Sequence, residues 1–200
     1  EDDFSPVKGL IHKYPNRVLL MSSESCAINC RYCFRRTFPY QQHRQSKADW
    51  QEALDYVRQH TELDEVILSG GDPLTQSNKY LFWLLSEIDA IPHIERIRIH
   101  SRLILTLPER IDGEFLAGIE KIRKHVVIVT HCNHPNELGD DVKISIDALR
   151  SQNVTLLNQS VLLKSINDQP ETLTELSEAL FDTGILPYYL FLLDPVAGAA

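Results

Sequence analysis

Three closely spaced cysteines are the residues whose types and spacing point most directly to chemistry. Cys26, Cys30 and Cys33 follow the pattern Cys-x3-Cys-x2-Cys, and the remaining cysteine, Cys132, lies about a hundred residues further along the chain. Thiolates are the usual ligands of iron–sulfur clusters, and a [4Fe–4S] cluster with a complete protein ligand set takes four of them. The spacing therefore predicts a cluster held by three thiolates, with one iron open to a small molecule.

An iron without a protein thiolate favours activation of S-adenosylmethionine. Such an iron can chelate the amino and carboxylate groups of this compound and pass an electron to its sulfonium, while the protein positions and shields the resulting radical. Two simpler interpretations are weighed against this one. Nearby cysteines can be small buried packing residues, and a structural zinc site prefers four protein ligands with paired Cys-x2-Cys spacings.

Gly70, Gly71 and Asp72 form a second candidate site. Two glycines let the backbone approach a ligand closely, and successive N–H groups can hold an anion. The carboxylate of Asp72 can accept a hydrogen bond from a ligand ammonium. The same residues, followed by Pro73, are also typical of a plain turn.

Three further polar residues lie at or near the ends of apolar runs. His131 precedes Cys132 and His134, and capping of the next helix is the alternative to a ligand role. Gln159 lies inside an apolar run, where a ligand contact and a core hydrogen bond are both open. Asp194 precedes Pro195 and is equally suited to a turn.

The elements that must position these residues alternate along the chain. Short apolar runs with the composition of strands buried on both faces cover residues 17–22, 65–69, 94–100, 126–131, 154–163 and 187–193. Amphipathic helical patterns cover residues 47–60, 78–90, 113–124, 142–152 and 171–183. This alternation predicts an α/β fold, either an open doubly wound sheet or a partial barrel, with its chemistry at the carboxyl ends of the strands.

Composition excludes several classes of protein. The net charge is -8 and no cluster of lysine and arginine is present, which argues against a nucleic-acid-binding surface. No apolar stretch reaches the roughly 20 residues that span a bilayer, and the acidic start of the chain is not a signal peptide. We therefore expect a cytoplasmic protein. Because the chain lacks an initial Met and stops just after an apolar run, we also expect it to be a piece of a longer polypeptide.

These motifs resemble the radical S-adenosylmethionine (SAM) superfamily and, at a finer level, the lysine 2,3-aminomutase family. The segments that carry the resemblance are residues 12–17, 26–40, 68–74, 130–137, 157–163 and 193–200. Within the family, residues 26–40 and 194–200 are most similar to the bacterial members that supply β-lysine for the modification of elongation factor P.

The resemblance implies a partial (β/α)6 barrel of the TIM type. Residues 1–17 would be a lead-in segment, and residues 18–200 would be the radical SAM core. The implied cofactors are a [4Fe–4S] cluster, S-adenosylmethionine and pyridoxal 5′-phosphate (PLP). The implied enzyme is an isomerase that moves the amino group of L-lysine from Cα to Cβ and yields (R)-β-lysine.

The resemblance also assigns residues to each ligand. Cys26, Cys30 and Cys33 would hold the cluster. The residues implied near S-adenosylmethionine are Gly70, Gly71, Asp72, His131 and Gln159. Arg35 would bind the substrate carboxylate through its planar fork, and Asp194 would face the distal ammonium of lysine. The residues implied near the PLP phosphate are Lys13, Tyr14 and Arg17, and Lys13 stands where the family often has arginine.

One departure from the family limits what this chain can do alone. The family's lysine that binds PLP lies beyond position 200, so we expect these 200 residues to hold the cluster without completing the aminomutase cycle. Implied partners are an electron donor such as flavodoxin or ferredoxin and, indirectly, elongation factor P and its ligase. A homo-oligomer is also implied. The alternatives are a radical enzyme for glutamate or arginine, and a non-catalytic cluster-binding remnant.

Overall fold

A seven-stranded sheet runs through the protein in chain order. The computed structural model describes residues 4–33, 35 and 47–196. The strands are β1 (Leu10–Tyr14), β2 (Arg17–Ser23), β3 (Glu65–Gly70), β4 (Arg96–His100), β5 (His125–Thr130), β6 (Thr155–Leu162) and β7 (Leu186–Leu192). Each strand pairs with the next; β1 is antiparallel to β2, and all later pairs are parallel. Six parallel strands in sequential order are the framework of a partial barrel.

Helices follow the parallel strands and cover one face of the sheet. They are α1 (Lys47–Gln59), α2 (Asn78–Asp89), α3 (Leu103–Thr106), α4 (Gly113–Ile119), α5 (Asp140–Ser151) and α6 (Pro170–Thr183). Three short 3-10 helices, Pro73–Thr75, Pro108–Arg110 and Pro135–Glu137, lie in the connections. The arrangement is the partial (β/α)6 barrel that the resemblance implied, and the sequence prediction of the fold is confirmed.

Alternation along the strands separates a packed face from a functional face. In β4, Ile97 and Ile99 are fully buried in the core beneath the helices. Arg98 and His100 alternate with them and therefore point to the opposite face. We call this opposite face the lumen face. It carries polar side chains because it lines the interior of the partial barrel and does not pack against the helices.

The predicted strands are all present, with ends shifted by up to two residues. The sequence prediction missed β1, which forms a hairpin with β2 in which Tyr14 pairs with Arg17. Only five residues long, β1 has no repeated apolar alternation to reveal it. The expected lead-in segment therefore contributes a strand to the sheet.

One helix is shorter than its pattern predicted. The pattern over residues 113–124 continues past Ile119, where α4 ends. Asp89 explains the difference: its Oδ1 accepts hydrogen bonds from the backbone N–H groups of Arg123 and Lys124, at 2.8 and 2.9 Å. These bonds take the chain out of the helix and lead it into β5.

The open edge of the sheet is β7. All seven of its residues are exposed, including Tyr189 and Phe191. Among the described residues, no helix is both long enough and apolar enough to cross a membrane.

Candidate cofactor and substrate site

The cysteine loop begins where β2 ends, at the carboxyl edge of the sheet. Its three cysteines are free thiols: Cys26 is exposed, and Cys30 and Cys33 are partly buried. The backbone N–H of Cys33 donates to the carbonyl of Cys30 at 3.1 Å, which folds this part of the loop into a turn. Three thiols in one loop match the cluster with three protein thiolates and one open iron that the spacing predicts.

Electrostatic interactions link the three thiols. The pKa of Cys26 is raised to about 11, first by partial burial of the sulfur within the loop, although the residue as a whole is exposed, and then by the charges of Asp72, Cys33 and Cys30. Within the described ranges, no three His, Cys, Asp or Glu side chains are arranged around a single metal ion. A four-iron cluster binds each thiolate through a different iron, so its donor set is spread more widely than that of one zinc ion.

The Gly70–Gly71 turn packs directly against the start of the cysteine loop. Gly70 has a φ of +107°, and a Cβ there would lie 2.7 Å from the carbonyl oxygen of Ser23. A Cβ on Gly71 would lie 2.8 Å from the backbone nitrogen of Ser25. Both glycines are therefore needed for close contact between two stretches of backbone, and their place beside S-adenosylmethionine stays a prediction.

Asp72 fastens three loops together. Its carboxylate accepts hydrogen bonds from the backbone N–H of Leu74 and the hydroxyl of Ser101 at Oδ1, at 3.0 and 2.7 Å. At Oδ2 it accepts from the N–H groups of Arg102 and Leu103, at 2.9 and 3.0 Å. Four donors occupy the usual acceptor capacity of a carboxylate. The side chain of Asp72 therefore holds the loops that surround the site, and its contact with S-adenosylmethionine stays a prediction.

Burial has a measurable effect on Asp72. It raises the pKa of the carboxyl above its usual value, and the bonds from Ser101, Leu74, Arg102 and Leu103 pull it part of the way back. Its N–H donates to the carbonyl of Ser25 at 2.8 Å. The same residue thus ties the cysteine loop to the loop after β4.

Arg102 reaches back from the loop after β4 to the cysteine loop. Its Nη1 donates to the sulfur of Cys30 at 3.4 Å and to the hydroxyl of Tyr32. Its Nη2 pairs with Glu137 at 2.7 Å. Its Nε is buried with no partner within the part of the chain that is described. A cation placed on a ligand sulfur is a means by which a protein adjusts an iron–sulfur cluster.

Asn133 and Glu137 complete this network from the loop after β5. The side-chain amide of Asn133 donates to the hydroxyl of Tyr32 at 2.7 Å. Glu137 accepts from the N–H groups of Asn133 and His134, at 2.7 and 3.1 Å. His134 in turn caps the 3-10 helix Pro135–Glu137, so the helix-capping interpretation holds for this histidine.

Asn158 and Ser160 are core residues. Asn158 accepts from the N–H of Cys132 and donates to its carbonyl, at 2.8 and 3.0 Å, and the hydroxyl of Ser160 donates to the same carbonyl at 2.7 Å. Burial raises the pKa of the Cys132 thiol to about 12. This cysteine is fully buried and belongs to the hydrophobic core on the packed side of the sheet.

Gln159 points to the lumen face and meets His131 there. The amide nitrogen of Gln159 lies 3.2 Å from Nδ1 of His131 and also contacts its Nε2. The ring centroids of His131 and His100 are 6.3 Å apart. Burial, then the charge of Arg102, lowers the pKa of His131 to about 4. Burial, followed by His131, Arg98 and Arg35, lowers that of His100 to about 3. Both imidazoles are neutral near pH 7.

Arg35 approaches the lumen from the cysteine loop. Its Nη1 donates to the hydroxyl of Ser69 at 3.4 Å. Ser69 lies near the carboxyl end of β3, on the lumen face. Asp194 is exposed just after β7, at the same edge of the sheet. Arg36 and residues 197–200, which carry part of the resemblance, lie outside the described residues.

Lys13, Tyr14 and Arg17 occupy the opposite end of the strands. The Arg17 guanidinium carbon lies 4.7 Å from the centre of the Tyr14 ring, and the Lys13 ammonium lies 5.8 Å from it. The seven-residue strand β2 separates Arg17 from the cysteine loop by roughly 20 Å. These three residues therefore lie apart from the candidates at the carboxyl ends of the strands, and their place near PLP stays a prediction.

Buried charge surrounds Arg17 at this end. Glu65 is 1% exposed and pairs with Arg98 at 2.7 Å, with Arg96 at 3.7 Å and with Arg17 at 3.8 Å. One carboxylate among three guanidinium groups leaves the cluster net positive. This charge favours an anion nearby.

Sequence reasoning missed the residues that hold the site together. Tyr32 lies between the predicted ligands Cys30 and Cys33. Asn133 and Glu137 lie in the segment 130–137, in which a ligand role was assigned only to His131. Arg102, directly after a buried strand, was given no role. A polar side chain directly after a buried strand was the one available signal, and it does not say which partner the side chain contacts.

Comparison with known proteins agrees with this geometry. A sequence profile of the Radical SAM superfamily matches residues 20–177, which include the cysteine loop, the Gly70–Gly71 turn and the lumen strands up to β6. The chain belongs to the radical SAM superfamily.

Individual relatives and a solved structure are also similar to this radical SAM chain. The L-lysine 2,3-aminomutase of Escherichia coli (strain K12) is 51% identical over 200 residues, all of this chain and 58% of that protein. The glutamate 2,3-aminomutase of Clostridioides difficile (strain 630) is 36% identical over 192 residues, covering 96% of this chain and 45% of that protein. The chain thus spans less than two thirds of these curated relatives. Streptococcus suis SuiB, solved with the precursor peptide SuiA, superposes with a TM-score of 0.67 at 16% identity, over 95% of this chain and 42% of SuiB, and shares the fold.

Proposed function

We propose that this chain is the core of a radical SAM L-lysine 2,3-aminomutase, an isomerase that converts (S)-α-lysine to (R)-β-lysine. The observation that carries the proposal is the cysteine loop at the carboxyl end of β2, with three free thiols braced by Arg102 and Asp72. The 51% identity to a protein named L-lysine 2,3-aminomutase supports lysine as the substrate. The β-lysine would serve the modification of elongation factor P by a separate ligase.

Each cofactor has a set of residues proposed to hold it. Cys26, Cys30 and Cys33 would bind the [4Fe–4S] cluster, whose open iron supplies one-electron reduction of S-adenosylmethionine. The turn at Gly70, Gly71 and Asp72 would lie beside the methionine end of that compound. His131 and Gln159 would contact it from the lumen face, where two neutral groups avoid repelling its sulfonium.

A PLP site is proposed at the amino end of the strands. Arg17 and Lys13 would hold the PLP phosphate, with Tyr14 beside it. The net positive cluster around Glu65 supports an anion there, because Arg98 and Arg96 add charge that one carboxylate does not balance. The lysine that binds PLP in the family lies outside these 200 residues, so the full-length protein would be required for turnover.

The substrate would lie in the lumen between these two ends. Arg35 would bind its carboxylate, and the Ser69 hydroxyl already accepts a hydrogen bond from this guanidinium. Asp194 would face the distal ammonium. A site that binds a carboxylate at one end and a cation at the other fits lysine and does not fit glutamate, whose side chain ends in a carboxylate.

Further expectations concern partners and location. A flavodoxin or ferredoxin would supply the electron, the protein would work in the cytoplasm, and copies of it would associate as a homo-oligomer. Pull-down of the reductant from an anaerobic mixture and size-exclusion chromatography test the first and the last of these.

The cluster is tested by anaerobic reconstitution of the protein with iron and sulfide. We expect about four irons per chain and an electron paramagnetic resonance spectrum that changes when S-adenosylmethionine is added. Cys30→Ser should lose the cluster, whereas the matched control Cys132→Ala should keep it, because Cys132 is buried on the other side of the sheet. A reconstituted protein that holds zinc, or a spectrum indifferent to S-adenosylmethionine, contradicts the proposal.

The substrate is tested with the full-length protein supplied with PLP, S-adenosylmethionine and a reductant. Lysine, glutamate and arginine are offered separately, and β-amino acid products are separated by chromatography. A glutamate 2,3-aminomutase is the second candidate because such an enzyme is 36% identical to this chain. β-Glutamate as the main product would select that candidate, and no product with an intact cluster would select the non-catalytic remnant.

A further inference from the structure

His100 carries a buried polar atom that the described structure leaves unsatisfied. Its Nε2 is shielded from solvent and has no hydrogen-bond partner among the described residues. A buried polar group without a partner costs about 1–3 kcal/mol, so proteins rarely retain one without a use. The position of His100 at the carboxyl end of β4, on the lumen face, places this atom inside the proposed site.

The surroundings of His100 favour an anionic partner. The cations that act on this imidazole are Arg98, which is itself paired with Glu65 at 2.7 Å, and Arg35; the neighbouring His131 is neutral. The lumen neighbour on β3 is Ser69, one position beyond the paired residues Leu68 and Ile99, and this hydroxyl holds Arg35. His100 and Arg35 therefore approach the same part of the lumen from two different elements.

Protonation sets what His100 can do there. Burial keeps the imidazole neutral, so one ring nitrogen carries a proton to donate and the ring adds no charge of its own. A neutral donor can bind a carboxylate without the desolvation cost of a third cation beside Arg35 and Arg98.

We propose that Nε2 of His100 donates a hydrogen bond to the α-carboxylate of the amino-acid substrate, next to Arg35. This inference rests on the proposed function, since it needs an amino acid in the lumen. It adds a substrate-binding residue that recognises the carboxylate. His131 contacts Gln159, whereas Nε2 of His100 has no partner among the described residues.

The test compares two ligands that differ only at the carboxylate. The full-length, anaerobically reconstituted protein is titrated by calorimetry with L-lysine and with L-lysinamide, whose carboxylate is replaced by a neutral amide. His100→Ala should bind lysine about 10-fold more weakly or worse, because a hydrogen bond to a charged group is lost. It should lose clearly less affinity for lysinamide, because the amide carbonyl accepts only a hydrogen bond between neutral groups.

Two further variants guard against an effect of folding alone. His100→Gln keeps an N–H donor at a similar reach and should recover part of the lysine affinity. His125→Gln replaces an exposed histidine at the start of β5, far from the carboxyl edge, and should bind both ligands as the wild type does. The binding of S-adenosylmethionine, followed through the cluster spectrum, should be the same in every variant.

Each other outcome has a separate meaning. Equal losses for lysine and lysinamide, or unchanged lysine binding in His100→Ala, overturn the role of His100 and leave the proposed function standing. Weaker S-adenosylmethionine binding with unchanged lysine binding assigns the imidazole to the cofactor and also overturns the inference. If the wild type binds glutamate in place of lysine, the lysine assignment fails, and the comparison is repeated with glutamate and its α-amide. Failure of the wild type to bind any amino acid overturns both.

Discussion

A methyl group added at Gly71 should disturb the cysteine loop from outside it. In Gly71→Ala the new Cβ would lie 2.8 Å from the backbone nitrogen and from the carbonyl carbon of Ser25, where ordinary contacts are 3.4–4 Å. The obstacle is backbone, so the loop must move by at least about 0.6 Å. Overpacking of this kind costs about 2–3 kcal/mol.

Gly113 offers a matched control. A Cβ there meets nothing within 4 Å, and the residue begins α4 after the cap of Asp112. Gly113→Ala should therefore stabilise the protein by about 0.5–1 kcal/mol through the lower entropy of its unfolded chain. The two alanine variants should differ by about 3 kcal/mol.

Urea unfolding and iron content measure the two consequences. With a slope of about 2–3 kcal/mol per molar, the urea midpoints of the two variants should be roughly 1 M or more apart. After reconstitution, Gly71→Ala should also hold less iron than Gly113→Ala, because its cysteine loop is displaced. Equal midpoints and equal iron content would refute the argument that the turn and the loop are packed backbone to backbone.

Two further predictions concern the polar side chains of the site. Arg102→Lys keeps a positive charge but loses the fork that reaches Cys30, Tyr32 and Glu137. It should lower the midpoint potential of the cluster in an anaerobic redox titration, because a hydrogen bond to the sulfur stabilises the reduced state. Arg96→Lys, at the other end of β4, should leave the potential unchanged, and equal potentials in the two variants would contradict the role of Arg102. The pKa values of His131 and His100 are lowered to about 4 and about 3. Their contribution to the free energy of unfolding is therefore complete above the unfolded pKa of about 6.5 and is lost as the pH falls below it. The loss is at most about 1.4 kcal/mol per pH unit for each group. His131→Gln should flatten the fall in unfolding free energy between about pH 6.5 and 4, and an unchanged slope would show that this imidazole is not held neutral by burial.

Sequence predicted the fold where its signal is local and repeated. Apolar runs and amphipathic helices located six strands and five helices, because burial on both faces of a parallel sheet leaves an unambiguous composition. The hairpin strand Leu10–Tyr14 was missed because a five-residue edge strand has little apolar pattern. The early end of α4 was missed because it depends on Asp89, a residue from another helix.

The candidate site was predicted in part for the same reason. Residue type and spacing identified the cysteine loop, since three thiols within eight residues have few other uses. The contacts of Asp72 and Gly71 within the protein were not predicted, because their partners, Ser101 and Ser25, are distant in sequence. Which donor meets which acceptor is fixed by packing between loops, and no periodicity records it.

The bonds around the cysteine loop form a closed ring. From Ser25 the path runs through Asp72 to the backbone of Arg102, and from the Arg102 guanidinium to Cys30 in the loop where it began. Because the loop is hydrogen-bonded to the rest of the protein at both its start and its middle, the protein itself fixes the conformation of the loop. If oxygen destroys a cluster bound there, the loop should keep its fold, and the cluster could be rebuilt from iron and sulfide without refolding of the protein.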